Sequence, residues 1–201
     1  MPTRFYLPAS GTAPISPTIS PTGASGWEHI QVTRRPTSTT KGSTALATQA
    51  YTPDAADHLV DGDAHHVQFS STQQLAAQTI AAQAIELAIQ GLEAHVGNNL
   101  FVTLKIFVVD GSGTTIKETL LDMTRDAVEF TTGLLSRSLT ATTTAATVEA
   151  DDRLVFEIGV GGTPTGAGGI QGHNASLRWG ENGAGGDLVA VPPGVQLLVQ
   201  V

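Results

Sequence analysis

Hydrophobic and polar positions alternate most regularly from Ile80 to Val109, IAAQAIELAIQGLEAHVGNNLFVTLKIFVV. In the first half Ile85, Leu87 and Ile89 alternate with Glu86, Ala88 and Gln90. In the second half Leu100, Val102, Leu104, Ile106 and Val108 alternate with Phe101, Thr103, Lys105 and Phe107. Ala, Gln, Glu and Leu are good helix formers. A period of two, however, puts successive side chains on opposite faces of a strand, and pattern outweighs propensity. The stretch predicts two long strands joined at Gly97-Asn98-Asn99 as a central β-hairpin. A helix remains an alternative only for Gln73 to Ala84, where small residues blur the period.

The same alternation recurs in shorter pieces. RLVFEIGV points Leu154, Phe156, Ile158 and Val160 one way and Val155 and Glu157 the other, which predicts a core strand. WEHIQV from Trp27, Thr44 to Tyr51, Val67 to Ser70, Val128 to Phe130, the Thr-rich LTATTTAATV from Leu139, ASLRW from Ala175 and the terminal VQLLVQV are further strand candidates. Asp110-Gly111-Ser112-Gly113 predicts a tight turn into Thr114 to Leu121, making a meander, and Asp61-Gly62 predicts a turn within PDAADHLVDGDAHH. With 22 Gly and 10 Pro in 201 residues, many turns separate short strands. These patterns predict an all-β fold, a jelly-roll-like two-sheet antiparallel β-sandwich of about eight to ten strands. Residues 27–201 form its single domain, and residues 1–26 an extended N-terminal arm.

The arm is set apart by its prolines, Pro2, Pro8, Pro14, Pro17 and Pro21, spaced through Ser, Thr, Gly and Ala. Proline removes amide donors and biases the preceding residue toward extended geometry, so neither a helix nor a central strand fits. A solvated linker has little use for Phe5, Tyr6, Leu7, Ile15 and Ile19, so the arm is expected to be ordered by lying on a surface. Charge is uneven in the same sense. Residues 1–41 carry Arg4, Arg34, Arg35 and Lys41 against Glu28, a balance of +3. Residues 42–104 contain no Lys or Arg and six carboxylates, Asp54, Asp57, Asp61, Asp63, Glu86 and Glu93, whereas 105–201 stand at −5. A basic head on an acidic body makes arm-to-body contact between copies complementary, a heterologous contact that closes into a ring, most simply a trimer. The same arm is suited to gripping a different protein.

Overall charge of −8 argues against a nucleic-acid partner. Without cysteine there is no disulfide, thiolate zinc site or thiol nucleophile. No apolar run approaches the roughly 20 residues of a membrane span, so a soluble chain is expected. His65 and His66 beside Asp61 and Asp63 are of metal-ligating type, but neighbours on a strand face opposite ways and the stretch lacks a calcium loop's length. Glu149, Asp151 and Asp152 before a strand read as a turn. GVGG at Gly159 and GENGAGG at Gly180 lack the Lys-Ser/Thr of a phosphate loop. No serine stands in GxSxG, and no carboxylate pair is placed by spacing alone. The expectation is a non-enzymatic protein without metal or cofactor. Trp27 and Trp179 admit two readings, stacking on sugar rings in a carbohydrate-binding module or capping the core. For Trp179, alternating with Leu177, the core reading is preferred.

Three phrases, RFYLPASGTAPISPTISPTGASGWE, QLAAQTIAAQAIELAIQGLEA with NNLFVTLKIFVVDGSGTTIKETLL, and DRLVFEIGVG with ASLRWGENGAGGDL, together resemble a group of structural proteins of tailed bacteriophages. The resemblance spans most of the chain and implies a β-sandwich module of the virion, decorating the capsid or belonging to neck, tail or fibre. Its implied partners are copies of itself and phage capsid or tail proteins. The alternative is a module that binds host glycans on the same fold.

Overall fold

The computed structural model describes residues 3–19, 26–40, 47–51, 62–162, 174–180, 188–191 and 197–198. Its strands in chain order are β1 (Thr3–Tyr6), β2 (His29–Ile30), β3 (Arg34–Pro36), β4 (Ala47–Tyr51), β5 (Gly62–Ser70), β6 (Gln74–Leu75), β7 (Gln78–Ile80) and β8 (Ala84–Glu93). They continue with β9 (Leu100–Val109), β10 (Ile116–Arg125), β11 (Leu135–Thr142), β12 (Ala146–Val148), β13 (Arg153–Gly162), β14 (Ala175–Trp179), β15 (Leu188–Val191) and β16 (Leu197–Leu198). The described residues contain no helix, and the fold is an all-β sandwich of two main sheets.

The first sheet is built on β8. One edge of β8 pairs with β11 from Ala84 to Gly91; its other edge pairs with β15 and then β14, end to end. β1 and β4 lie outside β15 and β14. The second sheet runs β10-β9-β13-β5, with the short β2 and β3 both parallel to β5 along its outer edge. Between the sheets, Ile85, Leu87 and Ile89 of β8 share one core with Val102, Leu104, Ile106 and Val108 of β9 and Leu154, Phe156, Ile158 and Val160 of β13.

Both halves of the Ile80–Val109 stretch are strands, but they do not form a hairpin. β8 and β9 belong to different sheets and face each other across the core. A period of two identifies a strand without identifying its partner, and residues 94–99 are long enough to change sheets. That crossing is fixed from outside, where the Asn174 carbonyl accepts from the Ala94 amide at 3.0 Å and from Asn98 Nδ2 at 2.8 Å. The hairpin predicted at Asp110 does form, between β9 and β10, but without β8 there is no three-strand meander.

Three further expectations change. Gln73 to Ala84 holds the short strands β6 and β7 and no helix. Gly62 to His66, expected within a turn-rich connection, supply the start of the nine-residue β5, which accommodates an extra residue near His65 and His66 as a bulge against β13. Val128 to Phe130 lies outside any strand. The glycine stretches after Gly162 and Gly180, and most of VQLLVQV, lie outside the described residues.

Burial differs between the sheets. β8 buries every second residue, as a strand with one wet face does. β9, β13 and most of β5 are buried on both faces. The reason is the N-terminal segment, which covers the outer face of the second sheet. Ile15 there joins Phe107, Val109 and Val155 in a second, smaller hydrophobic cluster.

Leu104 and Ile106 have essentially no solvent contact. Truncating either to Ala should lower unfolding free energy by about 2–5 kcal/mol through lost burial and a residual cavity. Urea titration checks this, and a loss under about 1 kcal/mol would contradict the placement of that face in the core.

Candidate functional site: the strap and its buried polar contacts

The predicted arm is a strap, and its course follows from its residues. β1 adds to the first sheet beside β15, and Tyr6 exchanges backbone hydrogen bonds with Ser38 at 2.6 and 3.1 Å. Phe5 packs its ring 5.3 Å from that of Phe156, and Leu7 enters the main core. The chain then passes onto the outer face of the second sheet. There Ile15 sits against the turn glycine Gly113, whose φ of +77° and 2.9 Å separation of an added Cβ from Ile15 leave no room for a side chain. Ile19 is buried and Tyr6 half-buried. The five apolar residues of the arm thus meet the body of their own chain, four of them fully covered.

Beyond the strap, Trp27 comes down onto the same sheet face. Its indole rests over Gly159, where an added Cβ would lie 2.6 Å from the ring and 2.1 Å from the Ala64 carbonyl. Trp27 Nε1 donates to Glu157 Oε2 at 2.7 Å, and Gln68 Nε2 donates to Glu157 Oε1 at 3.0 Å. Arg34 Nε donates to Gln68 Oε1 at 3.2 Å, and its Nη2 reaches the Pro17 carbonyl at 3.1 Å. Glu157, Gln68 and Trp27 are all buried. Burial pushes the Glu157 carboxyl above the usual range, opposed by the Trp27 and Gln68 hydrogen bonds and by the positive charges of Lys105 and Arg34.

His65 is adjacent, its ring edge-on to Trp27 at 5.3 Å. Its Nδ1 lies 2.7 Å from the Gln31 carbonyl, so the neutral ring carries its proton there. Burial lowers its pKa from 6.5 to about 4. On the same face Asp63 accepts from Thr103 Oγ1 at 2.8 Å and from Arg125 Nε and Nη2 at 3.0 and 2.9 Å. At the far end of the molecule the acidic turn before β13 is tied to Lys117, which pairs with Glu149 and with Asp152 at 2.9 Å. Among the described residues no group of three or more His, Asp or Glu side chains is arranged to hold a metal ion.

Of two cavities among the described residues, the first lies apart from these groups and the second touches them at Arg125. One, of about 430 Å³, is lined by Phe5, Pro8, Pro36, Thr37, Ser38 and Thr39. The other, more open and about 590 Å³, is bordered by Phe101, Arg125, Asp126 and Glu129. Trp27 and Trp179 face neither. Trp27 is covered as described, and Trp179 is buried in the main core edge-on to Phe69. Neither indole presents a ring face for stacking on sugar in this conformation.

Sequence reasoning did not single out Glu157, Gln68 and Arg34. The usable signal was Glu157 itself, an acidic residue out of phase in an otherwise apolar strand, which requires donors from whatever covers that face.

No family model matches the chain, and no curated protein does. Two crystal structures of a CocE/NonD family hydrolase from Staphylococcus aureus share its fold, with TM-scores of 0.53 and 0.55 at 10% identity. The alignments cover 96% and 98% of this chain but 36% and 37% of the hydrolase chain, so this chain spans little more than a third of that protein's length. A structure of infectious bursal disease virus, Gt strain, overlaps more weakly, with a TM-score of 0.31 and 16% identity over 87% of this chain and 37% of that one. At 10% identity the likeness to the hydrolase is one of fold.

Two outcomes test the strap contacts. Trp27→Phe keeps most of the buried area but leaves a Glu157 oxygen without its donor, and should cost about 1–3 kcal/mol in urea unfolding. His65 is neutral when folded and protonates near pH 6.5 when unfolded, so its contribution is complete above that value and declines as pH falls toward 4. That loss should reach about 3 kcal/mol and shrink in His65→Gln, read as urea midpoint against pH. Glu157 runs the other way, because its raised folded pKa makes acidification stabilising down to its unfolded value of 4.5.

Proposed function

We propose that the chain is a non-enzymatic structural component of a tailed-phage virion, a capsid decoration or head-tail accessory protein. The observation that carries this reading is where the buried ionisable groups are used. Glu157 and His65 join the segments covering the second sheet to that sheet, and Glu93, pushed up by burial, accepts from the Leu100 amide across the crossing between sheets. Perturbed groups of a catalytic site converge on a cavity. These three are spent on holding layers together, as a module that must keep its shape within a lattice requires. The resemblance of three sequence phrases to tailed-phage structural proteins supports the same reading, and supplies the setting of copies of itself and capsid or tail proteins as partners.

The arm's role in assembly takes a specific form under this proposal. Its apolar residues are covered by the chain's own body, so arm-to-copy contact requires exchange of the strap, each copy covering the next with the contacts it makes on itself. The glycan-binding alternative has no exposed tryptophan ring to support it.

Mass spectrometry of purified virions, with copy number, is the test. A fixed number of copies per particle, retained through density-gradient purification, is expected. A chain present only in the lysate and absent from particles would overturn the proposal.

A further inference from the structure

We propose that the open groove at the end of the sandwich where β9 begins is a docking site for a positively charged, partly apolar segment of a partner protein. Along the outer face of the second sheet the covering segment brings Trp27 over Gly159 and then Glu28 against Gly62. Toward the start of β9 the face is open. Phe101 is the one residue of β9 that is not buried. It borders the cavity of about 590 Å³ together with Asp126, Ala127, Glu129 and Gly162.

The wall of the groove follows from where the chain is pinned. After β10 the Asp126 amide donates to the Val102 carbonyl at 2.8 Å and the Phe130 amide to the Leu100 carbonyl at 2.7 Å, with the Phe130 side chain in the main core. Between these two points Ala127 and Val128 stand exposed and Glu129 half-buried. The crossing at residues 94–99 is tied to the same end, because the Glu93 amide donates to the Thr131 carbonyl at 3.0 Å. These crossings and the start of β11 carry Val96, Val128, Leu134 and Leu135, four of the seven large hydrophobic residues exposed among the described ones. Apolar side chains gathered at one end of a molecule, beside a cavity, mark a surface that another molecule covers.

Charge selects the occupant. Among the described residues Asp126 and Glu129 make no ion pair, and neither does Glu28, which lies against Gly62, the pairing partner of the groove's Gly162. Arg125 also borders the groove, but both oxygens of Asp63 meet its charge, at 3.0 and 2.9 Å. Arg137 turns to the Glu129 carbonyl and the Phe130 ring. Three carboxylates against that one cation leave the surplus negative. An anionic ligand is repelled here, whereas a lysine or arginine side chain finds carboxylates beside it and the Phe101 ring to pack on. A small cation would leave Val96, Val128, Leu134 and Leu135 in water, so the occupant is a segment of protein that carries basic and apolar side chains together.

Titration of the full chain with a fluorescein-labelled lysine–leucine repeat peptide, read by anisotropy and by amide chemical shifts, is the experiment. Saturable binding is expected, with the shift changes gathered at Phe101 and residues 126–129. Glu129→Lys should weaken binding about tenfold, as attraction between close charges becomes repulsion. Glu118→Lys makes the same change in net charge at the other end of β10, where Glu118 pairs with Val108, and should leave binding within about twofold, as expected for charges well beyond a Debye length. Phe101→Leu keeps apolar volume but removes the ring, and should weaken binding about threefold. Unchanged thermal midpoints show that the variants are folded. No binding at about 100 μM peptide, well above a micromolar dissociation constant, would overturn the proposal. So would equal losses in Glu129→Lys and Glu118→Lys, which would mean general attraction to an acidic body, or an all-lysine peptide that binds as well. A concentration-dependent dimer abolished by Glu129→Lys would place a second copy in the groove and overturn it too. These measurements are independent of the virion assignment, which particle copy number addresses separately.

Discussion

The structure depends on how a buried carboxylate is met. Glu157 projects from β13, a central strand whose opposite face supplies Leu154, Phe156, Ile158 and Val160 to the core. Anchored on that side, the strand cannot turn Glu157 toward water, so the covering layer must satisfy it. Trp27 and Gln68 do so, and Gln68 in turn is held by Arg34, which also grips the strap at Pro17. A misplaced covering segment would leave a carboxylate dry and unpaired, which costs more than a misplaced apolar contact. The hydrophobic cluster around Ile15 makes covering favourable, and Glu157 makes it particular.

The strap's composition answers a second constraint. A segment lying across the face of a sheet finds that sheet's amides and carbonyls already used in its own ladder. Every amide the strap turns inward would be an orphan. Proline has no amide, and its fixed φ keeps the chain extended and limits the freedom lost on docking. Pro8, Pro14 and Pro17 thus suit a chain that must lie flat without pairing, and the carbonyl of Pro17 is taken up by side chains, Arg34 and more distantly Gln68 at 3.4 Å. Pairing resumes only where strand geometry is available, at β1 and again at β2 and β3.

Strand identity was legible in the sequence because it is a local property. The alternation in Ala84–Glu93 and Arg153–Gly162 follows from which side of each strand faces the core. Partnership was not legible, because β8 would show the same alternation in a hairpin with β9 as it shows facing β9 across the core. The outward apolar residues Phe107 and Val109 were the sign that the second sheet is covered twice, and the arm's Ile15 and Ile19 were the sign that something covers. Joining the two required knowing that the arm folds back, a long-range fact with no local signature. DGDAHH was misread for the opposite reason. Its turn-forming composition is local, whereas the strand character of its part from Gly62 onward is imposed by β13, which pairs with that part around a bulge.

The charge pattern is resolved within the chain as well. The basic head and acidic body, complementary between copies by sequence alone, are already complementary in one copy. Arg34 lies close enough to Glu157 to favour its ionised form, and through Gln68 and Pro17 it links sheet and strap. Part of the head's positive charge is thus directed inward, toward a carboxylate buried beneath the covering segments.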